Sequence, residues 1–356
     1  VYEELKRRGP IDALWIGSHT GGERAAAERA GIPFAAIQTG KLRRYFDLKT
    51  FTDALRLPVG FAQSWRKLRA FKPDVVFSTG GFVSVPTVVA ARTIAPVVMH
   101  EQTATIGLAN KINMRFAELV ALSFPSSEPA ARAIHPNVVI TGNPVRAGLR
   151  SGDAAAMRAE LGLPDGLPVL YVTGGALGAT PINERMLARL PELLKRACVI
   201  HQTGSKQHNG DFDKATSVRS ALPAELQGRY VVREFVTDEL PGIFALADLI
   251  VARAGAGTVA ELAHIGKPSI LIPLAHAGGN EQERNATILT AAGGAVMIPE
   301  ASATPERLYQ EIVQLLDRPD QLAEMAAGAR SVGTEDAAAG LATLVLRHAR
   351  KSWPGA

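Results

Sequence analysis

Two stretches of this chain share one grammar: a short apolar run, then glycines, then the start of a helical pattern. Val75-Val76-Phe77 leads into Gly80-Gly81-Phe82, and Val169-Leu170-Tyr171-Val172 leads into Gly174-Gly175-Ala176-Leu177-Gly178-Ala179. A strand that ends in glycine and feeds a helix belongs to a parallel sheet with helical crossovers, and it leaves backbone N–H groups ready for a negative ligand. The pattern occurs once in each half. It therefore predicts two α/β domains, each with an anion site, and an enzyme that holds two substrates across a cleft. At 356 residues the chain is too long for one ordinary core, and two domains of about 150 to 180 residues follow.

The rest of the chain fits that frame. Short apolar runs at 13–16, 75–77, 97–99, 119–123 and 138–140 read as strands, with helical patterns at 22–30, 59–71, 85–92, 106–116 and 128–134 between them. The second half repeats the alternation, with strands at 169–172, 198–201, 230–233, 249–252, 269–272 and 295–298. Strands of this kind make mainly parallel sheets covered on both faces. The expected fold is α/β, with two Rossmann-like domains facing across a cleft, as in the GT-B glycosyltransferases. The domains are placed at 1–150 and 151–333, joined within 148–168, and a helical tail at 334–356 packs back on the first. Sugar-nucleotide epimerases share this architecture, so it leaves the reaction open. Residues 1–9 read as the end of a helix, and a doubly wound domain opens on a strand and a turn. Those are expected ahead of Val1.

Charge and cysteine narrow the partners. Between Lys41 and Lys72 nine Lys or Arg face only Asp47 and Asp53, a net +7 over 32 residues. Phe61, Trp65 and Leu68 share a helical face within this stretch, after Leu55, Leu57, Pro58 and Val59. A basic, aromatic stripe suits an anionic membrane surface; a core-facing stripe with a solvated basic flank fits the same residues. No run approaches the roughly 20 apolar residues of a spanning helix. No nucleic-acid module appears, and nucleic acid is not expected as a partner. The single cysteine, Cys198, excludes an internal disulfide and reads as a buried structural thiol.

Candidate chemistry gathers at strand ends. Gly174 to Ala179 followed by Pro181 forms a loop and helix start suited to a pyrophosphate, or a structural turn. It lacks the dinucleotide spacing. Arg253 to Glu261 repeats the device, with Gly255 and Gly257 freeing the backbone, and Glu261 could accept two ribose hydroxyls or simply sit on a helix surface. Gln282 and Asn285, three apart after the polar loop from His276, can face the cleft together. Arg146 either clamps a diphosphate or bridges the domains. His100 and Glu101 follow the strand at 97–99, where ligands of parallel sheets bind; each could act as base or orient an acceptor hydroxyl, and a satisfied core histidine is the plain alternative for His100. No metal-ligand spacing is found.

Taken together, KPDVVFSTGGFVSVP at 72–86, HEQTATIGLANK at 100–111, TGNPVR at 141–146, GGALGATPIN at 174–183, REFVTDE at 233–239, RAGAGTVAE at 253–261 and NEQERNA at 280–286 resemble the MurG-type N-acetylglucosaminyltransferases of peptidoglycan synthesis. The resemblance covers most of the chain, in family order. It implies an inverting transfer of N-acetylglucosamine from UDP-N-acetylglucosamine to the 4-hydroxyl of the lipid-linked muramyl-pentapeptide, lipid I, giving lipid II. It also implies a peripheral enzyme on the cytoplasmic face of the bacterial plasma membrane. UDP-N-acetylglucosamine is then the donor substrate, with no prosthetic group or metal. Lipid I, anionic inner-leaflet lipids and other cell-wall and division proteins are the partners.

By the same resemblance the second domain holds the donor. Phe235 and Val236 flank the uracil, Glu261 takes the ribose, Gln282 the donor sugar, and Arg146, Gly175 and Ala176 the diphosphate. Thr103, Gly174, Asn285 and the helix start Ala256, Gly257, Thr258, Val259 and Ala260 complete the donor set. His100 and Glu101 are the catalytic candidates, and Gly80, Gly81, Gln102 and Asn110 bind the acceptor. The family usually has serine at the positions of Ala176 and Ala254 and asparagine at Thr103. Its amino-terminal loop GGTGGH, with a histidine implicated in acceptor activation, would precede Val1, and a chain truly starting there is expected to fold poorly and be nearly inactive. Two rival readings remain: a UDP-N-acetylglucosamine 2-epimerase of the same architecture, and a cell-wall scaffold that binds nucleotide without turnover.

Overall fold

Parallel pairing dominates the architecture. The computed structural model describes residues 1–19, 23–40, 48–275 and 280–351, with side chains described outside 48–56 and 207–208. The chain forms two units, Val1–Pro144 with Asp336–Ala356, and Val145–Glu335. In the first, β1 (Trp15–Ser18) pairs with β2 (Phe34–Ile37). A separate parallel sheet runs in the order β3 (Val76–Ser78), β4 (Val97–Glu101), β5 (Leu119–Leu122), β6 (Val138–Ile140). Every residue of β4 and β5 is buried, as expected of strands covered on both faces; β5 is apolar throughout, whereas β4 is apolar over Val97–Met99 and ends in His100 and Glu101.

The second unit holds six parallel strands: β7 (Val169–Thr173), β8 (Cys198–Gln202), β9 (Tyr230–Arg233), β10 (Leu249–Ala252), β11 (Ser269–Leu271) and β12 (Ala295–Met297). Their spatial order is β12-β11-β10-β7-β8-β9. The winding reverses between β7 and β10, so the loops after these two strands flank the switch point where ligands of doubly wound sheets bind. Alternate residues of β7 serve opposite cores. Val169 and Tyr171 pack with Ile200, Phe244 and Leu262, whereas Leu170 and Val172 pack with Ile182, Leu194 and Ile270. The period of two anchors β7 from both faces, with each buried aliphatic side chain contributing about 1.5–3 kcal/mol. Cys198 is fully buried in β8, and burial pushes its thiol up.

Several elements depart from the sequence reading. β2 was not foreseen, and β1 starts two residues later than expected. One helix spans Leu48–Phe71 and runs through Pro58, although the proline removes a helical hydrogen bond. The stripe on that helix divides: Leu68 is buried against Val88, Ala91 and Val97, while Val59, Phe61 and Trp65 are exposed. The Arg69 guanidinium lies 4.5 Å from the centroid of the Trp65 ring, a cation–π contact. The basic side chains from Lys41 to Arg56 lie outside the described side chains, and Gly22 and residues 276–279, where the sequence reading put the polar loop, lie outside the described residues. Among the described residues no helix is long and apolar enough to cross a membrane. The carboxy-terminal helix Ala337–Arg347 belongs to the first unit, where Arg8 donates from Nη1 to Thr343 Oγ1 at 2.7 Å and from Nη2 to the Ala339 carbonyl at 3.0 Å.

Candidate active site

The loop after β7 is held from below. Gly175 N donates to Thr173 Oγ1 at 3.1 Å, and Gly178 N closes a turn on the Gly175 carbonyl. That carbonyl also accepts from Gln202 Nε2 at 3.3 Å, and Gln202 Oε1 accepts from Tyr171 O–H at 2.6 Å. Ala176 and Leu177 stand exposed at the tip. Among the described residues Ala176 N has no acceptor. The following helix, Thr180–Ala188, has no side-chain cap. Its first turns are fixed by a buried network: Asp211 Oδ2 accepts from Thr180 Oγ1 at 2.7 Å and from Asn183 Nδ2 at 2.8 Å, and His201 Nε2 meets Asn183 Oδ1 while its Nδ1 meets Tyr230 O–H. Burial lowers His201 to about 4, against a smaller opposing effect of Asp211. The ring is neutral near pH 7 and serves as a strut. No motif links these five residues in the sequence, because they come from four separate segments between Thr180 and Tyr230.

After β10 the chain enters the helix Ala256–Ile265 at Gly255, again with no side-chain cap. The first N–H groups of such a helix have no intrahelical partner and carry its positive pole. Glu261 lies one turn in. Its Oε1 is 3.4 Å from Arg146 Nε, with the arginine more than half exposed and the glutamate mostly covered. Burial raises the Glu261 carboxyl and Arg146 works against the rise. Two candidates separated by more than a hundred positions thus meet in one unit. Tyr171 is raised chiefly by burial, with smaller influences of Glu261, Arg146 and Glu239, so its hydroxyl stays protonated.

The other donor candidates divide by exposure. Phe235 is exposed, whereas Val236 and Val259 are core residues packed with Tyr171 and Leu262; they offer backbone rather than side chain. Gly257 is exposed, and Ala256, Thr258 and Ala260 are half-buried. Gln282 and Asn285 do not present their amides as a pair. Asn285 is fully buried, with Nδ2 donating to the Ala254 carbonyl at 3.2 Å and Oδ1 lacking a partner among the described residues. Gln282 is half-buried and accepts from Leu274 N at 2.9 Å.

In the first unit the HEQ segment at the end of β4 is a tie. Glu101 is buried; its Oε1 accepts from Thr103 N at 3.0 Å and Thr103 Oγ1 at 2.9 Å, and its Oε2 from Asn110 Nδ2 at 2.7 Å. Asn110 Oδ1 in turn accepts from Gly81 N at 3.1 Å, and Gly80 N is directed to Ser78 Oγ at 3.2 Å. The sequence reading left both glycine N–H groups free for an anion. The structure spends them on the neighbouring side chains, so Gly80-Gly81 shapes a loop that Glu101 braces. Gln102 is exposed beside it. His100 is buried, with Nε2 3.1 Å from the Gly142 carbonyl and 3.0 Å from Ser123 Oγ. A carbonyl accepts only, so Nε2 carries the proton and the lone pair sits on Nδ1. Burial lowers His100 to about 4, opposed by the Gly142 hydrogen bond. Among the described residues no group of three or more His, Cys, Asp or Glu is arranged to hold a metal ion.

Two family models match: the glycosyltransferase family 28 N-terminal domain over residues 1–122 and its C-terminal domain over residues 169–341. The UDP-N-acetylglucosamine–N-acetylmuramyl-(pentapeptide) pyrophosphoryl-undecaprenol N-acetylglucosamine transferase of Geobacillus kaustophilus is 39% identical over 321 residues, 89% of this chain and 86% of that one. The chain belongs to glycosyltransferase family 28. Family 28 membership makes it a glycosyltransferase, and its similarity is to the MurG-type branch. The crystal structure of Acinetobacter baumannii MurG superposes with a TM-score of 0.73 at 27% identity, covering 97% of this chain and 93% of that one. UDP-GlcNAc 2-epimerase from Neisseria meningitidis gives a TM-score of 0.65 at 14% identity, covering 97% of this chain and 94% of that one. That likeness shows the shared fold alone.

Proposed function

We propose that this family 28 enzyme transfers N-acetylglucosamine from UDP-N-acetylglucosamine to the 4-hydroxyl of the lipid-linked muramyl-pentapeptide, with inversion. The observation that carries the reading is the meeting of Arg146 and Glu261 beside the uncapped helix start after β10. A carboxylate for ribose hydroxyls, a guanidinium and a positive helix pole for a diphosphate form a nucleotide-diphosphate site. The loop after β7, with Gly175 and Ala176 at its tip, adds backbone donors for the departing UDP. Phe235 stacks against the uracil. In the first unit, the loop built by Gly80, Gly81, Glu101 and Asn110 receives the acceptor, with Gln102 and Thr103 at its edge. Of the two base candidates, Glu101 has both oxygens engaged, whereas His100 keeps a lone pair on Nδ1; His100 suits proton acceptance better and Glu101 suits bracing the loop.

The test is transfer of radiolabelled N-acetylglucosamine from its UDP donor to a short-chain lipid I analogue. Labelled disaccharide lipid is the expected product. Formation of UDP-N-acetylmannosamine without acceptor would instead identify the epimerase, and UDP binding without turnover a scaffold.

The same reading places the protein at the cytoplasmic membrane surface. Exposed Phe61 and Trp65, one turn apart on this helix and beside Arg66, Lys67, Arg69 and Lys72, form an apolar ridge with a basic rim, which anionic headgroups attract. The protein is expected to sediment with phosphatidylglycerol vesicles and much less with phosphatidylcholine vesicles. Equal recovery with both would reject the anionic-surface reading.

A further inference from the structure

Glu300 stands just after β12, outside every motif that marks the nucleotide site, yet it is fastened to three parts of it. One carboxylate oxygen pairs with Arg253 Nη2. The other accepts from Ala275 N at 3.1 Å. Its backbone carbonyl accepts from Arg185 Nη2 at 3.0 Å, and Arg185 lies on the helix that follows the β7 loop. Arg253 is itself buried and donates from Nη1 to the carbonyls of Ile272 at 3.1 Å and Pro273 at 3.2 Å. The Arg253–Glu300 pair thus supplies three polar attachments of segment 272–275, beside the ladder bond from Ile272 N to the Ala252 carbonyl at 2.9 Å. Burial works to raise the Glu300 carboxyl, but the hydrogen bonds from Arg253 and Ala275 and the charges of Arg253 and Arg185 hold it below the usual range. It is ionised at neutral pH.

The segment also holds Gln282, on the helix Glu281–Ala291. Leu274 N donates to Gln282 Oε1 at 2.9 Å, and a backbone N–H can only donate, so this bond fixes which end of the amide is oxygen. Gln282 Nε2 is then presented as a donor, and among the described residues it has no acceptor. A side-chain amide held this way can distinguish the hydroxyl pattern of a hexose, because a misplaced donor loses its hydrogen bond.

We propose that Glu300 is a positioning residue for recognition of the donor sugar: through Arg253 and the Ala275 N–H it sets segment 272–275, whose Leu274 N–H orients the Gln282 amide. The inference rests on the proposed donor role of Gln282 and adds the residue that holds it in place. It predicts an effect confined to the sugar. Uridine, ribose and diphosphate meet Phe235, Glu261, Arg146 and the helix starts, none of which Glu300 contacts through its carboxylate.

The experiment compares the affinities of UDP and of UDP-N-acetylglucosamine for the unaltered protein, Glu300→Gln and Glu300→Ala, alongside thermal melts and the transfer assay. Glu300→Gln keeps the volume but loses the charged pair. It should bind UDP within about twofold of the unaltered protein and the UDP-sugar about tenfold more weakly, the size expected of one misoriented hydrogen bond. Discrimination between UDP-N-acetylglucosamine and its C4 epimer should fall in parallel, and Glu300→Ala should fall further. Equal weakening of UDP and UDP-sugar would make Glu300 a plain structural support, and no weakening of either would give it no part in the site; both overturn the proposal. Should the alanine variant fail to fold, the glutamine variant decides. Absence of transfer by the unaltered protein would overturn the reading of the reaction instead, and the ratio of the two affinities would still decide the positioning role.

Discussion

Gly178→Ala is expected to cost about 4 kcal/mol of stability and to abolish UDP binding. Gly178 has φ +78, and a Cβ there would lie 2.1 Å from the Thr203 carbonyl oxygen and 2.5 Å from Asn209 Nδ2. The left-handed conformation alone costs a non-glycine residue about 1–2 kcal/mol. The larger part comes from the overlap, because the obstacle is main chain and cannot rotate aside. Thr203 O is also the acceptor for Asn183 Nδ2 and Asn209 Nδ2. Pushing it away breaks bonds worth about 1 kcal/mol each and loosens the helix that begins at Thr180. For a unit of this size the melting temperature should fall by roughly 10 °C. Gly175→Ala is the control. Its φ is +83, but no atom lies within 4 Å of the added Cβ, so only the strain of about 1–2 kcal/mol applies. The added methyl projects from the loop proposed to receive the diphosphate, so UDP affinity should fall further than stability does. Melts that shift equally for the two variants would mean that the β7 loop does not rest on Thr203 as described.

That comparison also shows what the sequence made legible. The glycines after β7 were readable as a loop feeding a helix, because apolar runs and a proline frame them. Which glycine touches main chain was not readable, since Thr203 lies twenty-five positions away and comes close only once β8 is beside β7. Glu261 and Arg146 were each readable as donor candidates from local pattern, but their pairing depends on tertiary folding. The GG pair after β3 shows the opposite limit: its pattern matches the β7 loop, yet Ser78 and Asn110 take both N–H groups, and only three-dimensional neighbours decide that. β2 was missed because Phe34-Ala35-Ala36-Ile37 is four residues long with two alanines, which favour helix over strand. The helix from Leu48 was foreseen only from Val59, since Pro58 argues for a boundary that the packing of this helix on Val85–Ala91 overrides. His201, Tyr230, Asn183 and Asp211 had no common spacing to reveal them, and Glu300 none at all.

Replacing Glu261 by glutamine is expected to weaken UDP binding by between about tenfold and a hundredfold while leaving the melting temperature at pH 7 unchanged or higher. A carboxylate accepting two ribose hydroxyls makes charge-assisted bonds of about 1.5–3 kcal/mol each, and an amide offers one acceptor in place of two. Stability changes in the opposite direction. Burial raises the Glu261 carboxyl above its ordinary value despite Arg146, so between the unfolded and folded pKa values the folded protein holds a proton that the unfolded chain has already released. Stability from this group is fully present below the unfolded pKa and is lost as pH rises through the folded one. At neutral pH the ionised carboxylate is therefore a cost that glutamine removes. Arg146 loses its partner, but it is mostly exposed and such pairs contribute little. The same shift contributes to the pH dependence of binding: protonation of Glu261, raised by burial above its ordinary value, should weaken UDP binding on the acid side, and the glutamine variant should lose that contribution while keeping the one from the terminal phosphate of UDP. Calorimetric titration of UDP between pH 5 and pH 8, paired with melts of both proteins, checks both halves. A variant that lost stability yet kept its affinity would make Glu261 a support for Arg146, and the ribose would have to be held elsewhere. Weaker binding in a protein at least as stable is the signature of a residue kept for its ligand.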